Sequence, residues 1–300
     1  MPAPIVLFAY KRPGELRRTL LALQANFLAP QSELYVFIDG PKKPSDVAKV
    51  EQVKAIAEGI TGFSRVHLHI SNTNRGCANA IISGVSQVLR EHASVVVVED
   101  DIVTTPNFLD FVNQSLTYYA NHLKVFSVGG YTFPFKQPAD YTHDVYFYGR
   151  TCAWGWGIWA DRWFGTDWSV TDFNSFMADD TQRKAFNYYG SDRVRMLRRA
   201  LTNEIDTWDI LLCYEQFKRK QLTVYPTVSK VENIGFYSAD GATNTNVYNR
   251  YQTQLDDGLR RVFSLPDQVG EHNLYTRQFQ HQFSLGVRLL NRLKTVAGLR

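Results

Sequence analysis

Three consecutive carboxylates, Glu99, Asp100 and Asp101, directly follow a run of four valines. A run of β-branched residues predicts a buried strand, so the acids are expected at its carboxyl end. Neighbouring carboxylates repel one another, and a divalent cation with hard oxygen ligands can hold several of them ionised in a cleft. A Mg²⁺ or Mn²⁺ ion bound by one or two of them would neutralise a diphosphate. The alternative is a solvated turn in which Asp101 or Thr105 caps a helix.

Two other carboxylate chemistries do not fit this stretch. A phosphatase of the haloacid dehalogenase type requires two aspartates one residue apart after a strand, but Ile102 takes the second position when Asp100 takes the first. A phospho-accepting receiver domain carries acids after its first strand, where this chain has the basic segment Tyr10-Lys11-Arg12. The triplet therefore indicates a metal and diphosphate site or a turn.

The elements around the triplet alternate between short apolar runs and segments of helical periodicity. The βαβαβαβ order is typical of a parallel sheet with helices on both faces, and ligands of such sheets bind outside the carboxyl ends of the strands. Here those ends are polar or charged. The predicted strands are 5–10, 34–39, 65–71, 94–100 and 222–229, and the predicted helices are 15–25, 45–58, 77–91, segments within 172–203, and 207–219.

Composition excludes several classes of protein. The chain has 300 residues, of which 44% are hydrophobic and 21% charged, enough to bury a core. Its formal net charge of +4 is scattered among acids, so nucleic acid is not an expected partner. Three well-separated cysteines without CxxC spacing argue against a disulfide framework and a zinc site. Because no signal peptide or membrane-spanning run is recognised, we expect a cytoplasmic protein.

The segment 95–112, with its acidic triplet, a following hydrophobic residue and then Pro106-x-Phe108, resembles the glycosyltransferases of GT-A fold. It is most similar to the N-acetylglucosaminyltransferase I-like type and to bacterial family 2-like sugar transferases. The resemblance implies an α/β fold with a Rossmann-like, mostly parallel central sheet flanked by helices. It also implies a single domain over residues 1–240, with a nucleotide-sugar-binding half (1–124) and an acceptor half (125–240).

The same resemblance assigns roles within the donor site. Asp101 would coordinate Mn²⁺ or Mg²⁺, Glu99 would contact the nucleoside, and Asp100 would take part in donor binding. Arg12 would lie by the nucleotide and Asp39 would contact its base. The donor pocket would be lined by Asn74, Arg75 and Gly76. Taken separately, Arg12 also fits a surface charge, Asp39 an Asp-Gly turn and Gly76 a helix-entry glycine.

Tryptophans are concentrated in the acceptor half, where five of the six in the chain lie between residues 154 and 168. Aromatic faces stack on sugar rings, although core packing is the alternative for each tryptophan. The resemblance places Trp154, Gly155 and Trp156 under the donor sugar and the acceptor, and Trp208 is a further candidate for stacking on the acceptor or a sugar.

An inverting transfer also needs a carboxylate base to take the acceptor proton. Asp209, preceded by Trp208, resembles the family's Trp-Asp pair, in which the aspartate is the base. A first-turn acid favoured by the helix dipole is the alternative for Asp209. Asp206 precedes the same apolar run and is expected to cap the helix there, with the role of base as its alternative.

Residues 241–300 are interpreted as a lid-flanking segment and a basic amphipathic helix. The glycine-rich segment 230–245 suits a lid over the nucleotide sugar or an inert loop. Near the C-terminus, Phe279, Phe283, Val287, Leu290 and Leu293 are predicted on one helix face, opposite basic residues. Such a helix can lie peripherally on an anionic membrane, or pack on the body or on a second subunit.

Together these features predict a metal-dependent, inverting glycosyltransferase. The expected donor is UDP-N-acetylhexosamine or UDP-hexose, and the expected acceptor is a glycan or lipid-linked glycan in bacterial surface polysaccharide synthesis. A nucleotidyltransferase is one alternative, although its glycine-rich phosphate loop is lacking in the segment after the first strand. A catalytically silent nucleotide-sugar-binding partner is the other. Whether the configuration of the transferred sugar is inverted or retained depends on the geometry at Asp209.

Overall fold

The computed structural model describes residues 1–237 and 248–299. Up to residue 99 the chain follows the predicted alternation, with each bound within about two residues of the sequence pattern, and a strand and a helix that were not predicted come next. The elements in chain order are β1 (Ile5–Ala9), α1 (Pro13–Gln24), β2 (Glu33–Ile38), α2 (Val47–Glu58), β3 (Arg65–Ile70), α3 (Cys77–Leu89), β4 (Ser94–Glu99), β5 (Ile102–Thr104) and α4 (Phe108–Tyr118).

The second half adds strands to the same sheet and a group of short helices. Its elements are β6 (Val125–Gly129), β7 (Val145–Tyr148), β8 (Trp156–Trp159), α5 (Ala160–Phe164), α6 (Phe173–Ala178), α7 (Asp180–Asn187), α8 (Arg193–Leu201), α9 (Asp209–Lys218), β9 (Leu222–Pro226), β10 (Val231–Asn233), α10 (Asn273–Gln282) and α11 (Leu285–Val296).

The central sheet has eight strands in the order β3-β2-β1-β4-β8-β6-β9-β7. Only β8 and β7 run against the others, which makes the sheet mostly parallel. A separate antiparallel pair joins β10 to β5. The predicted α/β fold with a mostly parallel central sheet is therefore confirmed. Because β1 and β4 are neighbours, the residues that follow them lie side by side at one edge.

Both faces of the sheet are covered. Along β1, Ile5 and Leu7 pack into one hydrophobic core while Val6 and Phe8 pack into another on the opposite face. This is the two-sided burial that a continuous apolar strand predicts. The four valines of β4 are at most 1% exposed and alternate between the same two cores. The sheet is thus a rigid support for the loops at its carboxyl edge.

The helices predicted within 172–203 are present as three short ones, α6, α7 and α8, and Asp179 caps α7 through its side chain. The structure corrects two other predictions of secondary structure. The strand expected to reach residue 229 ends at Pro226. The C-terminal helix is two helices, since α10 ends before Phe283 and Ser284 caps α11. Among the described residues, no helix has the length and apolar character needed to cross a membrane.

Candidate active site

Arg12 and the acidic triplet form the centre of the carboxyl edge. Arg12 ends the loop after β1, and Pro13 then starts α1 at the first helical position, where proline is favoured. The Arg12 guanidinium donates to Asp101 Oδ2 at 2.7 Å from Nη1 and to Asp100 Oδ1 from Nη2. The backbone N–H of Tyr10 donates to Asp100 Oδ2 at 3.2 Å. One cation therefore spans two of the three acids.

The third acid of the cluster has no such partner. The Glu99 side chain accepts no hydrogen bond from the described residues, and burial, followed by the charge of Asp101, raises its pKa to about 8. Burial also raises the pKa of Asp100 to about 6, although Arg12 opposes that shift. The two carboxylates together raise the pKa of Arg12. The site therefore carries more acid than its own cation neutralises, which favours a second positive charge.

Replacement of Glu99 by glutamine tests this imbalance through pH. An unfolded glutamate titrates near 4.5, so between pH 4.5 and 8 the folded state binds more protons at Glu99 and stability falls as pH rises. We expect Glu99→Gln to unfold at a higher temperature than wild type at pH 8.5, with little difference at pH 4.5. The shift should be a few degrees, since each kcal/mol corresponds to roughly 2–4 °C. The exposed Glu58→Gln variant is the control, and an equal shift at both pH values would contradict the assignment.

Asp39 organises the loop that enters α3. Its carboxylate accepts from the backbone N–H of Arg75 at 2.8 and 3.0 Å, of Gly76 at 3.2 Å and of Gly40 at 3.1 Å. The Asn74 side-chain amide donates to the Gly40 carbonyl at 3.0 Å. These predicted donor-site residues therefore lie together, and their hydrogen bonds join the loop after β2 to the loop before α3. A contact between Asp39 and a nucleotide base remains a prediction.

Asp206 caps a helix, but a different one from that predicted. Its carboxylate accepts from the backbone N–H groups of Cys77 at 2.7 Å and Ala78 at 3.0 Å, at the first turn of α3. The helix that follows it in sequence, α9, begins after Trp208 without a side-chain cap. Gly76 has φ +80°, and a Cβ there would lie 2.8 Å from Asp206 Oδ2. Asp206 therefore joins the loop before α9 to the donor half.

Asp209 begins α9. Its Oδ1 accepts from the Ile210 N–H at 2.8 Å and from the Thr207 hydroxyl, while Oδ2 accepts no hydrogen bond from the described residues. The side chain is partly exposed. After burial and the charges of the neighbouring acids, the charge of Asp209 also contributes to the raised pKa of Glu99. Asp209 is thus an aspartate fixed through one oxygen, with the other oxygen unengaged and its charge acting on the triplet.

Of the predicted sugar-stacking residues, Trp156 and Trp208 are corrected. Their side chains are 1% and 3% exposed and stack on each other with ring centroids 4.8 Å apart, so neither offers a free face to a sugar. Trp154 is only partly buried and packs edge-on against Tyr131 at 4.8 Å and Tyr251 at 5.0 Å. Trp154 is thus the remaining stacking candidate, and its role stays a prediction.

Gly155 separates the partly buried Trp154 from the buried Trp156. Its φ is +55°, and a Cβ would lie 2.8 Å from Val231 Cγ1. The chain therefore turns between Trp154 and Trp156 at a position that favours glycine. Gly155 positions the tryptophans and is itself held by packing.

The sequence did not single out the contact between β10 and the triplet. The Ile234 N–H donates to the Asp101 carbonyl at 2.8 Å, and a Cβ on Gly235 would lie 2.2 Å from Asp101 Oδ2. Gly235 therefore approaches the predicted metal ligand directly. In the sequence, the position of Gly235 in the glycine-rich segment was the signal that could have indicated this close approach. The rest of that segment, 238–245, lies outside the described residues, and so does the prediction of a lid there.

The fit of a divalent metal depends on Asp101. Within the described ranges, no group of three histidine, cysteine, aspartate or glutamate side chains is arranged to hold a metal ion. Asp101 Oδ1 accepts no hydrogen bond from these residues, whereas Oδ2 is taken by Arg12. Mg²⁺-type sites often use one or two carboxylates and complete their coordination with substrate phosphates and water. The residues therefore fit a metal that is bound together with a diphosphate.

Comparisons with known proteins give structural likeness only. No protein-family model matches this chain, and no curated protein matches its sequence. Among solved structures, TarS from S. aureus is 10% identical over 76% of this chain and 37% of that chain, with a TM-score of 0.42. TarS 1–349 in complex with UDP-GlcNAc is 9% identical over 77% and 57% of the two chains, also with a TM-score of 0.42.

A further solved structure is a mannosyltransferase, PcManGT from Pyrobaculum calidifontis in complex with GDP-Man and Mn²⁺. It is 16% identical over 47% of this chain and 39% of that chain, with a TM-score of 0.32. The chain thus spans between 37% and 57% of the lengths of these three structures. These likenesses are distant, and the α/β fold stands on the sheet order itself.

Proposed function

We propose that this protein is a metal-dependent, inverting glycosyltransferase that uses a nucleotide-diphosphate sugar. One observation carries the proposal: Arg12 and the acidic triplet lie together at the carboxyl edge of a mostly parallel sheet, and Asp209, whose charge acts on Glu99, keeps one carboxylate oxygen without a hydrogen bond from the described residues. That edge is where such sheets bind their ligands. The motif resemblance around Glu99 to Asp101 supports the same family of reactions.

The chemistry follows from these positions. The oxygen of an acceptor hydroxyl attacks the anomeric carbon of the donor, and the bond from that carbon to the diphosphate oxygen breaks. Asp209 takes the proton of the attacking hydroxyl as general base. Arg12 lies beside the acids as a fixed positive charge for the leaving nucleoside diphosphate. A Mn²⁺ or Mg²⁺ ion held by Asp101 would supply further positive charge to the diphosphate.

The donor and the acceptor are proposed more specifically from the resemblance of the motifs. The donor would be UDP-N-acetylhexosamine or UDP-hexose, and the acceptor a glycan or a lipid-linked glycan of a bacterial surface polysaccharide. Trp154 is the one predicted stacking residue with accessible surface for a sugar. Glu99, half-buried and without a hydrogen bond from the described residues, is available to a donor hydroxyl.

Nucleotide-dependent thermal stabilisation tests the donor site. We expect one of UDP, GDP, CDP and dTDP to raise the unfolding temperature when Mn²⁺ is present, because a ligand at 100 times its Kd stabilises the folded state by about 2.7 kcal/mol. Asp101→Asn should lose this metal-dependent part. The exposed Asp140→Asn variant should keep it, since Asp140 lies in the exposed connection between β6 and β7 and is not among the predicted donor-site residues.

The other outcomes are equally informative. Stabilisation by a nucleotide without metal, equal in wild type and Asp101→Asn, would remove Asp101 from the metal role. Donor binding with neither hydrolysis nor transfer would identify a silent nucleotide-sugar-binding protein. Release of pyrophosphate from a nucleoside triphosphate and a sugar phosphate would instead identify a nucleotidyltransferase.

A further inference from the structure

Helix α11 packs on the protein through its polar side. Arg288 Nη1 donates to the Ser191 hydroxyl at 3.0 Å, and the Tyr248 N–H donates to the Thr295 hydroxyl at 3.0 Å. The Lys294 ammonium lies 4.3 Å from the centre of the Tyr248 ring. None of the helix's residues is fully buried. The side of α11 that contacts the body is thus the hydrophilic one.

The apolar side of α11 consequently points away from the protein. We call Leu285, Leu289, Leu290, Leu293 and Val296 the α11 outer face. Their side chains are 72%, 61%, 51%, 58% and 80% exposed, respectively. Spacings of three and four residues place them as neighbours along one side of a helix. Single exposed leucines are ordinary on protein surfaces, but a contiguous apolar patch of this kind indicates an interaction surface.

This face differs from the one that the sequence pattern predicted. Phe279 and Phe283 belong to the buried core, at 3% and 5% exposure, and the helix break at Ser284 turns α11 onto a new axis. Leu290 and Leu293 remain on the apolar side, but Val287 lies at the edge next to the body. The break therefore produces an outward apolar face that a continuous helix would not have.

All the charged side chains of α11 are basic. They are Arg288, Arg292 and Lys294, and the helix contains no aspartate or glutamate. Arg292 is exposed beside the leucines, whereas Arg288 and Lys294 are partly exposed and contact Ser191 and Tyr248 on the body. Two copies of this helix packed face to face would bring like charges together without an acid from either helix to pair with them. An anionic surface with an apolar interior complements both features at once.

We propose that the α11 outer face lies on an anionic lipid bilayer, with its leucines at the boundary of headgroups and acyl chains and Arg292 toward the headgroups. Electrostatic attraction between the basic helix and the anionic headgroups adds to the binding, and burial of the leucines supplies the apolar part. The contact would hold the protein at the surface where a lipid-linked acceptor resides. It does not depend on the proposed glycosyl transfer.

Co-sedimentation of the full-length protein with lipid vesicles tests this proposal. Wild type should pellet with vesicles of phosphatidylcholine and phosphatidylglycerol, more weakly at high salt, and should stay in solution with phosphatidylcholine alone. Leu289→Ser/Leu293→Ser should weaken binding by about tenfold or more. Leu21→Ser/Leu123→Ser is the matched control, because both leucines are exposed, one on α1 and the other in the turn before β6. Thermal unfolding of each variant checks that the fold is retained.

Three results would overturn the proposal. The first is wild type that stays in solution with anionic vesicles, and the second is an α11 variant that binds as well as the control. A light-scattering measurement that shows a dimer in wild type and a monomer in Leu289→Ser/Leu293→Ser, without vesicle binding, would assign the face to a second copy of the chain. Because vesicle binding needs neither donor nor turnover, none of these results bears on the proposed reaction.

Discussion

Asp209→Asn is expected to lower kcat by about 10²–10⁴-fold while leaving donor affinity unchanged. The reason is that asparagine keeps the volume and the contact with the Ile210 N–H but cannot accept a proton at neutral pH. Asp209 makes no contact with Arg12 among the observed hydrogen bonds, so the donor half should be undisturbed. Release of the nucleoside diphosphate from the donor sugar, with water as acceptor, measures kcat, and calorimetric titration with the nucleotide and Mn²⁺ measures affinity.

Asp206→Asn is the matched control for this experiment. Asp206 lies three residues earlier and accepts from the first turn of α3, and asparagine retains one acceptor oxygen for that contact. We expect this variant to keep most of its kcat, with at most a small change in affinity. An equal loss of kcat in Asp206→Asn would move the base to Asp206. A loss of donor binding in Asp209→Asn would make Asp209 a binding residue.

The elements of the first half were predictable because their signals are local. Four consecutive valines specify a two-sided buried strand, and the helices there alternate in sequence with such apolar runs. The position of the acids at a strand end could be read in the same way. Asp100 and Asp101 are 88 and 89 residues away from Arg12 in sequence. Arg12 pairs with them because β1 and β4 are neighbours in the sheet. Strand alternation suggests that adjacency but does not specify it.

The predictions that the structure corrects concern segments in which a single residue determines which of two environments a side chain or a helix enters. Trp154 and Trp156 would share a face in a regular strand, but the positive φ of Gly155 sends one ring to the surface and the other into the core. Asp206 has the sequence position of a cap for α9, yet the loop before α9 places it at the first turn of α3, where it contacts Cys77, 129 residues away in sequence. Ser284 divides the C-terminal helix by capping a new one. Such outcomes are set by tertiary packing, which a local pattern does not contain.

Arg12→Met is expected to produce the largest loss of stability. Asp100 is 2% exposed and Arg12 is its sole cationic partner among the observed contacts, so the substitution leaves a buried carboxylate without compensation. Breaking a buried ion pair from one side costs about 3–5 kcal/mol. The lower end is expected here because the side chains of Arg12 and Asp101 keep 16% and 11% exposure. Chemical denaturation at pH 8 measures the free energy of unfolding.

The sign of the pH dependence separates this charge effect from simple loss of packing. With Arg12 present, the pKa of Asp100 already lies at about 6, above the ordinary value of 3.8, and removal of the guanidinium raises it further. The folded variant then retains a proton that the unfolded chain has lost, so its stability falls as pH rises above 4. Arg12→Met should therefore be much closer to wild type at pH 4.5 than at pH 8. Asp100→Asn in the same chain should recover part of the loss at pH 8, because the amide carries no charge to bury. A deficit that is equal at both pH values and unaffected by Asp100→Asn would mean that Arg12 acts through packing alone.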